Sequence, residues 1–259
     1  MNESILGSNN KLDKDVPIPL YFQLKEIIKE KIVEGKLNPG DLIPSERELS
    51  EKYEISRPTI RQALQELVNE GLLYREKGKG TFVAKPKIKY GFIQNLTTFY
   101  DDMKKKGYKL KTEIRRKELK KVTEVVANKL NLKNDDQIIF LDRVRLIDNE
   151  PIVRVMNFVP YKKCPELMDV DLEDKSLYKV MEEKCDQKYY RAEVTLEPVV
   201  AKEYDAKLLD TEVGAPMHLM ENITYDQFDN PMDYFESRFR GDKGKVQVEL
   251  YNDNRLKNK

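Results

Sequence analysis

Two groups of residues have the types and the spacing for anion recognition. In the stretch 54–73, EISRPTIRQALQELVNEGLL, Ser56, Arg57, Thr59 and Arg61 crowd the start of an apolar-periodic segment. Arginine presents a planar fork of N–H donors that fits phosphates and guanine edges, and Ser and Thr hydroxyls donate to either. Further along, Arg143 and Arg145 stand two positions apart in FLDRVRLID, so on a strand both point to one face. Two adjacent guanidiniums repel unless a dianion or carboxylates lie between them. The bland alternative is a surface pair neutralised by Glu residues. The neighbours Leu141, Val144 and Leu146 imply that the opposite face is apolar.

Other chemistries find little support. The only histidine, His218, lies in the alternating segment PMHLMENITY and reads as a packed or surface strand residue. One His and two separated Cys cannot assemble a zinc site of usual stoichiometry. No residue pattern suits a Ser/His/Asp triad or a nucleotide loop, so no catalytic residue, metal or cofactor is assigned. Net charge is +1 although charged residues make up 36% of 259, so attraction for a polyanion must come from local concentration of charge. Cys164 and Cys185 fit a reducing compartment, and no apolar run reaches the roughly 18 residues that span a bilayer. The opening MNESILGSNNKLDKD lacks the apolar core of a signal peptide, which places the chain in the cytoplasm.

The elements that must position these residues follow from periodicity and punctuation. Residues 1–15 read as a disordered leader and 16–85 as a first domain. Leu20, Leu24, Ile27, Ile28 and Ile32 have helical spacing. Ser45 with Glu48 forms a capping-box signature for a second helix. Ser56 caps a third, with Pro58 in its first turn and Gly71 at its end. LLYREK and GTFVA then form a hairpin across Gly78-Lys79-Gly80, and this wing adds Arg75, Lys77, Lys79 and Lys85 against only Glu76. Three helices and a hairpin make a winged helix-turn-helix. Residues 86–96 read as a basic linker, 97–252 as a second domain and 253–259 as a polar tail. In the second domain, hairpins turn at Asp148-Asn149 and Asp229-Asn230, a helical stretch covers about 164–184, and VQVELY closes the sheet. The fold class is α+β.

The stretch LIPSERELSEKYEISRPTIRQALQELVNEGLLYREKGKGTFV resembles the N-terminal domain of the GntR family of bacterial transcription regulators, over residues 17–85. The resemblance implies DNA contacts from Arg47, from Ser56, Arg57, Thr59 and Arg61 on the recognition helix, and from the Lys77-Gly78 wing tip. It implies Arg47 on phosphate, Arg57 and Arg61 on phosphate and guanine, and Gly78 in the minor groove.

Over about 90–250, FLDRVRLIDNEPIVRVMNFVP, SLY and YFESRFRGDKGKVQVEL resemble the effector (UTRA) domain of the HutC-type branch, a fold shared with chorismate lyase. In sugar-phosphate-binding members the phosphate lies among a helix cap, two strand arginines and a Ser-x-Tyr segment. These correspond here to Thr97 or Thr98, to Arg143 and Arg145, and to Ser176 with Tyr178. The chain departs from that pattern at Val155 and Phe239, where such members carry a carboxylate and a Tyr. Asp233 remains to accept a sugar hydroxyl, with Glu236 or Arg238 as possible helpers. The resemblance implies a homodimeric repressor on pseudo-palindromic double-stranded DNA, released by a small anion, foremost a phosphorylated sugar. A non-phosphorylated carboxylate effector, or an enzyme using the lyase-like fold, are the alternatives.

Overall fold

The computed structural model describes residues 12–91 and 98–249, in two compact units that meet at Lys87 and Ile88. In the first, α1 (Leu20–Val33) and α3 (Arg57–Asn69) bury their apolar sides against each other, and α2 (Glu46–Tyr53) packs on α3. β1 (Leu42–Ile43), β2 (Leu73–Glu76) and β3 (Gly80–Val83) form an antiparallel sheet in the order β1-β3-β2. Leu24, Ile28, Leu49, Ile60 and Leu67 are all completely buried in this core. Each such side chain contributes about 2 kcal/mol of transfer free energy. Leu12 also packs here, and Gln23 exchanges hydrogen bonds with the Asp13 backbone at 2.9 and 2.8 Å. Residues 12–15, expected in a disordered leader, are therefore tied to α1.

In the second unit the chain runs through β4 (Ile88–Tyr90), α4 (Phe99–Lys105), β5 (Leu110–Lys121), α5 (Glu124–Leu130), β6 (Gln137–Ile147) and β7 (Glu150–Pro160). It continues through α6 (Leu177–Cys185), β8 (Tyr189–Val200), α7 (Glu203–Leu208), β9 (Pro216–Asp226), β10 (Pro231–Arg240) and β11 (Gly244–Val246). Six strands make one antiparallel sheet in the order β5-β6-β7-β10-β9-β8. Asp148 and Asn149, both at positive φ (51° and 66°), form the tight β6–β7 turn. Register places Arg143 beside Val155, Val155 beside Ser237 and Ser237 beside Met220, so one row of one face crosses four strands. The opposite face is covered by α5, over Phe158, Ile223 and Tyr234, and by α7, over Val144 and Met217.

Several expectations are corrected. Ile88–Tyr90, read as linker, are a strand: Ile88 and Tyr90 turn into the core while Lys89 faces out, and the pairing is parallel with β11. VQVELY, expected to close the main sheet, does not: only its Val246 is in a strand, β11, which joins β4, and residues 250–251 lie outside the described residues. Residues 92–96 of the linker reading and the whole 253–259 tail lie outside the described residues. Pro165 and the left-handed Asp174 break the 164–184 helix into the 3-10 turn Pro165–Met168 and α6. Leu141 shares the arginines' face, being two residues from Arg143, and packs under α6. Cys164 and Cys185 are joined as a disulfide with Cα atoms 5.3 Å apart, a meeting that the reading of two separated cysteines did not anticipate.

Candidate functional site

Two groups of polar side chains stand out, one in each unit. In the first, the Ser45 capping box fixes the start of α2, with Ser45 N–H donating to Glu48 at 2.8 Å. Glu54 at φ 53° turns the chain into α3, whose cap is Ser56. The Ser56 and Thr59 hydroxyls lie 2.8 Å apart, and Pro58 occupies the first turn, where no N–H is lost. The α3 side away from the core then presents Arg57 and Arg61, both exposed. Arg61 makes a forked pair with Glu46 of α2, Nε to Oε1 at 3.0 Å and Nη2 to Oε2 at 2.7 Å. That bond holds the Glu46 carboxyl below its usual range. Arg47 lies 3.8 Å from Glu51, and both are well exposed. Gly78 at φ 76° makes the hairpin turn that carries exposed Lys77. Glu46 is a partner that sequence reading missed, because nothing in linear spacing links two residues on different helices.

In the second unit the arginine-bearing face of the sheet floors a cavity of about 350 Å³. Thr98, Arg143, Arg145, Ser176 and Tyr178 all line it. Thr97 lies outside the described residues. Arg143 and Arg145 are 1% and 7% exposed, so they are not a solvated surface pair. Arg143 Nη2 donates to Asn157 Oδ1 at 2.7 Å, and the Arg145 guanidinium sits 5.5 Å from the centre of the Phe99 ring. Nε and Nη1 of both arginines, and Ser176 Oγ, are buried with no hydrogen-bond partner among the described residues. Ser176 begins α6 without using its hydroxyl as a cap, whereas Thr98 caps α4 by accepting from Asp101 N–H at 3.1 Å. Burial pushes the Arg143 guanidinium down, and burial together with the adjacent Arg143 charge does the same to Arg145. The cavity therefore holds two dehydrated cations with donors to spare, which favours an anion with several acceptor oxygens.

Asp233 is completely buried and stands behind the cavity surface. Its Oδ2 accepts from Tyr178 Oη and from Asn157 Nδ2, each at 2.8 Å. Burial raises its pKa to about 7, opposed by those two bonds and by Arg143. Glu236 and Arg238 point to the other face, where Glu236 meets Tyr234 Oη at 3.2 Å and Arg238 lies 3.7 Å from Asp205. Val155 and Phe239 do line the cavity, along with Met220, Phe235 and Tyr189. The cavity lining is therefore mixed, with apolar and aromatic side chains among the polar ones. Asn157 was not singled out in the sequence; its place in MNFVP, two residues after Val155 on a strand, put it on the same face.

Residues 20–83 match the bacterial regulatory proteins of the gntR family, and residues 105–245 match the UTRA domain. The chain is 38% identical to the HTH-type transcriptional repressor NagR of Bacillus subtilis (strain 168) over 232 residues, 90% of this chain and 95% of that one. The chain belongs to the gntR family. It is also 30% identical to the probable fructoselysine utilization operon transcriptional repressor of Escherichia coli (strain K12), over 82% of this chain and 87% of that one. Among solved structures it resembles PhnF from Mycobacterium smegmatis with a TM-score of 0.63 and 26% identity, covering 88% of this chain and 98% of that one. As a gntR-family protein with a UTRA domain, the chain is a DNA-binding transcription regulator and not an enzyme. The UTRA match spans Arg143, Arg145, Asn157, Ser176 and Tyr178. No helix among the described residues is long and apolar enough to cross a membrane.

Proposed function

We propose that the protein is a cytoplasmic repressor that leaves its operator when a phosphorylated sugar enters the cavity of the UTRA domain. The observation that carries this reading is the set of buried, unpartnered N–H donors on Arg143 and Arg145. A phosphate dianion supplies both the charge and the acceptor oxygens that these donors lack. Ser176, Leu177 and Tyr178, at the start of α6, line the same cavity, adding a helix N-terminus. A cavity of about 350 Å³ lies within the size range of small-ligand sites. The name of the fructoselysine relative, a sugar conjugate, fits a sugar-derived ligand. Tyr178 and Thr98 complete the proposed contacts, and Asp233 serves by orienting Tyr178 and Asn157.

At the DNA end, Arg57 and Arg61 contact phosphate and guanine, Arg47 and the hydroxyls of Ser56 and Thr59 contact the backbone, and the Lys77-Gly78 turn enters the minor groove. One recognition helix reads only a few base pairs, so the working form is a homodimer on a pseudo-palindrome. Calorimetry with hexose 6-phosphates and the corresponding free sugars tests the effector. Binding of the phosphorylated form alone, abolished by Arg143→Ala, is the expected result. Equal affinity for both forms contradicts it, and tighter binding of a sugar acid would support a carboxylate effector instead.

A further inference from the structure

The only two cysteines of the chain meet beside one wall of the cavity. Cys164 lies between the 3-10 turns Tyr161–Lys163 and Pro165–Met168 that follow β7, and Cys185 is the last residue of α6. They are joined across 21 positions of sequence with Cα atoms 5.3 Å apart. The bond ties the end of α6 to the chain that leaves β7, within a cluster that includes Leu141, Leu167, Leu177 and Met181.

Cys185 stands between two segments that line the cavity. Ser176, Leu177 and Tyr178 do so at the other end of α6, and Tyr189 does so at the start of β8, just beyond Cys185. The two segments touch, with the Tyr178 and Tyr189 ring centroids 5.0 Å apart. Between them Asp186 turns the chain at φ 50°, and Gln187 N–H donates to Met181 O at 3.1 Å. A restraint on Cys185 therefore acts on both segments.

The two sulfurs differ in access. Cys164 is completely buried, whereas Cys185 is half-buried and has Glu166 Oε2 3.3 Å from its Sγ. The cytoplasm proposed above as the protein's setting is reducing, and disulfides that form there are mostly transient, catalytic or redox-sensing.

We propose that Cys164 and Cys185 are a reversible thiol–disulfide site, oxidised by low-molecular-weight disulfides, whose bond locks the α6 wall and sets the ligand affinity of the cavity. The proposal rests on the effector reading above for what the cavity binds. Cys185 reacts first because solvent reaches it. Its thiol passes a proton to Glu166, and the thiolate attacks one sulfur of RSSR, whose S–S bond breaks and releases one RSH after protonation. Cys164 then attacks Cys185 Sγ in the mixed disulfide and expels the second RSH. Two protein thiols are oxidised to one disulfide, RSSR is reduced to two RSH, and the two thiol protons end on them. With the bond closed, Ser176 and Tyr178 are held in place before the ligand arrives, so less ordering opposes binding. With it open, packing and hydrogen bonds alone restrain α6.

The full chain is equilibrated with mixtures of reduced and oxidised glutathione, trapped with N-ethylmaleimide and weighed by mass spectrometry. Passage from a doubly labelled chain to an unlabelled disulfide across those mixtures is expected. A pair that stays closed in reduced glutathione alone, or open in excess oxidised glutathione, overturns the proposal. Calorimetry with glucose 6-phosphate then reads the lock. The oxidised wild type is expected to bind about fivefold tighter or more than the reduced form, and Cys185→Ala to match the reduced form at either poise. Equal affinity of the two wild-type forms overturns the proposal, as does redox-dependent affinity in Cys185→Ala. If the probe binds neither form, the effector reading is what fails, and hydrogen exchange on the ligand-free full chain decides the lock. Reduction must then speed exchange of the Gln187 amide about threefold or more in the wild type; equal rates in the two forms overturn the proposal.

Discussion

Arg143 is braced by Asn157: its Nη2 donates to Asn157 Oδ1 at 2.7 Å, and Asn157 Nδ2 passes the chain on to Asp233 at 2.8 Å. Asn157 thereby fixes which edge of the guanidinium faces the cavity. Hydrogen bonds to charged groups contribute about 1.5–3 kcal/mol. Asn157→Leu is expected to weaken sugar-phosphate binding roughly tenfold or more, since 1.4 kcal/mol is a factor of ten. Calorimetry measures this, and operator affinity without ligand should not change.

Asp233 makes the UTRA domain sensitive to pH. Its folded pKa is about 7 against an ordinary 3.8, so between those values the folded protein binds a proton that the unfolded chain has released. Its contribution is fully present below about pH 4 and is lost as pH rises through about 7. Wild type is thus expected to lose on the order of 2–4 kcal/mol of this contribution between pH 4 and pH 8. Asp233→Asn removes the proton site while its side-chain oxygen can still accept from Tyr178. Urea titrations across that range should show a flatter pH dependence in the variant.

The Arg61–Glu46 pair is exposed on the arginine side, and such pairs contribute only about 0–1 kcal/mol to stability. Glu46→Gln should therefore leave the melting temperature nearly unchanged. Arg61→Ala, like Arg57→Ala, is expected to cost about 1–3 kcal/mol of operator binding. If a double Arg57/Arg61 alanine variant bound the selected duplex like the wild type, the placement of α3 in the major groove would be wrong.

Lys77 has a different signature. Lys77→Ala should weaken binding evenly across sequences and reduce the slope of log affinity against log salt by about one. Fluorescence anisotropy at several salt concentrations reads both effects. A loss confined to the preferred sequence would instead make Lys77 a base reader.

Assembly can be read directly. Sedimentation of the full chain at micromolar concentration is expected to give a dimer, and two chains per selected duplex. A monomer binding one half-site with full affinity would refute the palindromic arrangement.

The sequence by itself determined the local frame of the first unit. Ser45 with Glu48, Ser56 before Pro58, and Gly78 in its turn act within a few residues, so caps and turns place Arg57, Arg61 and Lys77 without help from distant chain. The strand period likewise put Arg143 and Arg145 on one face. Only tertiary structure decided what that face meets. The burial of both guanidiniums arises from packing among strands and helices far apart in sequence. Asp233 gave no sign in its own segment that Tyr178 and Asn157, 55 and 76 positions away, would occupy its Oδ2 and set it behind the cavity. The same holds for Ile88–Tyr90. Three residues of the lysine-rich stretch KPKIKYG read as linker, and they become a strand only because β11 (Gly244–Val246) supplies the partner. Local hydrogen-bonding chemistry is written in neighbouring residues, whereas burial and strand pairing depend on contacts that close only when the whole domain has folded.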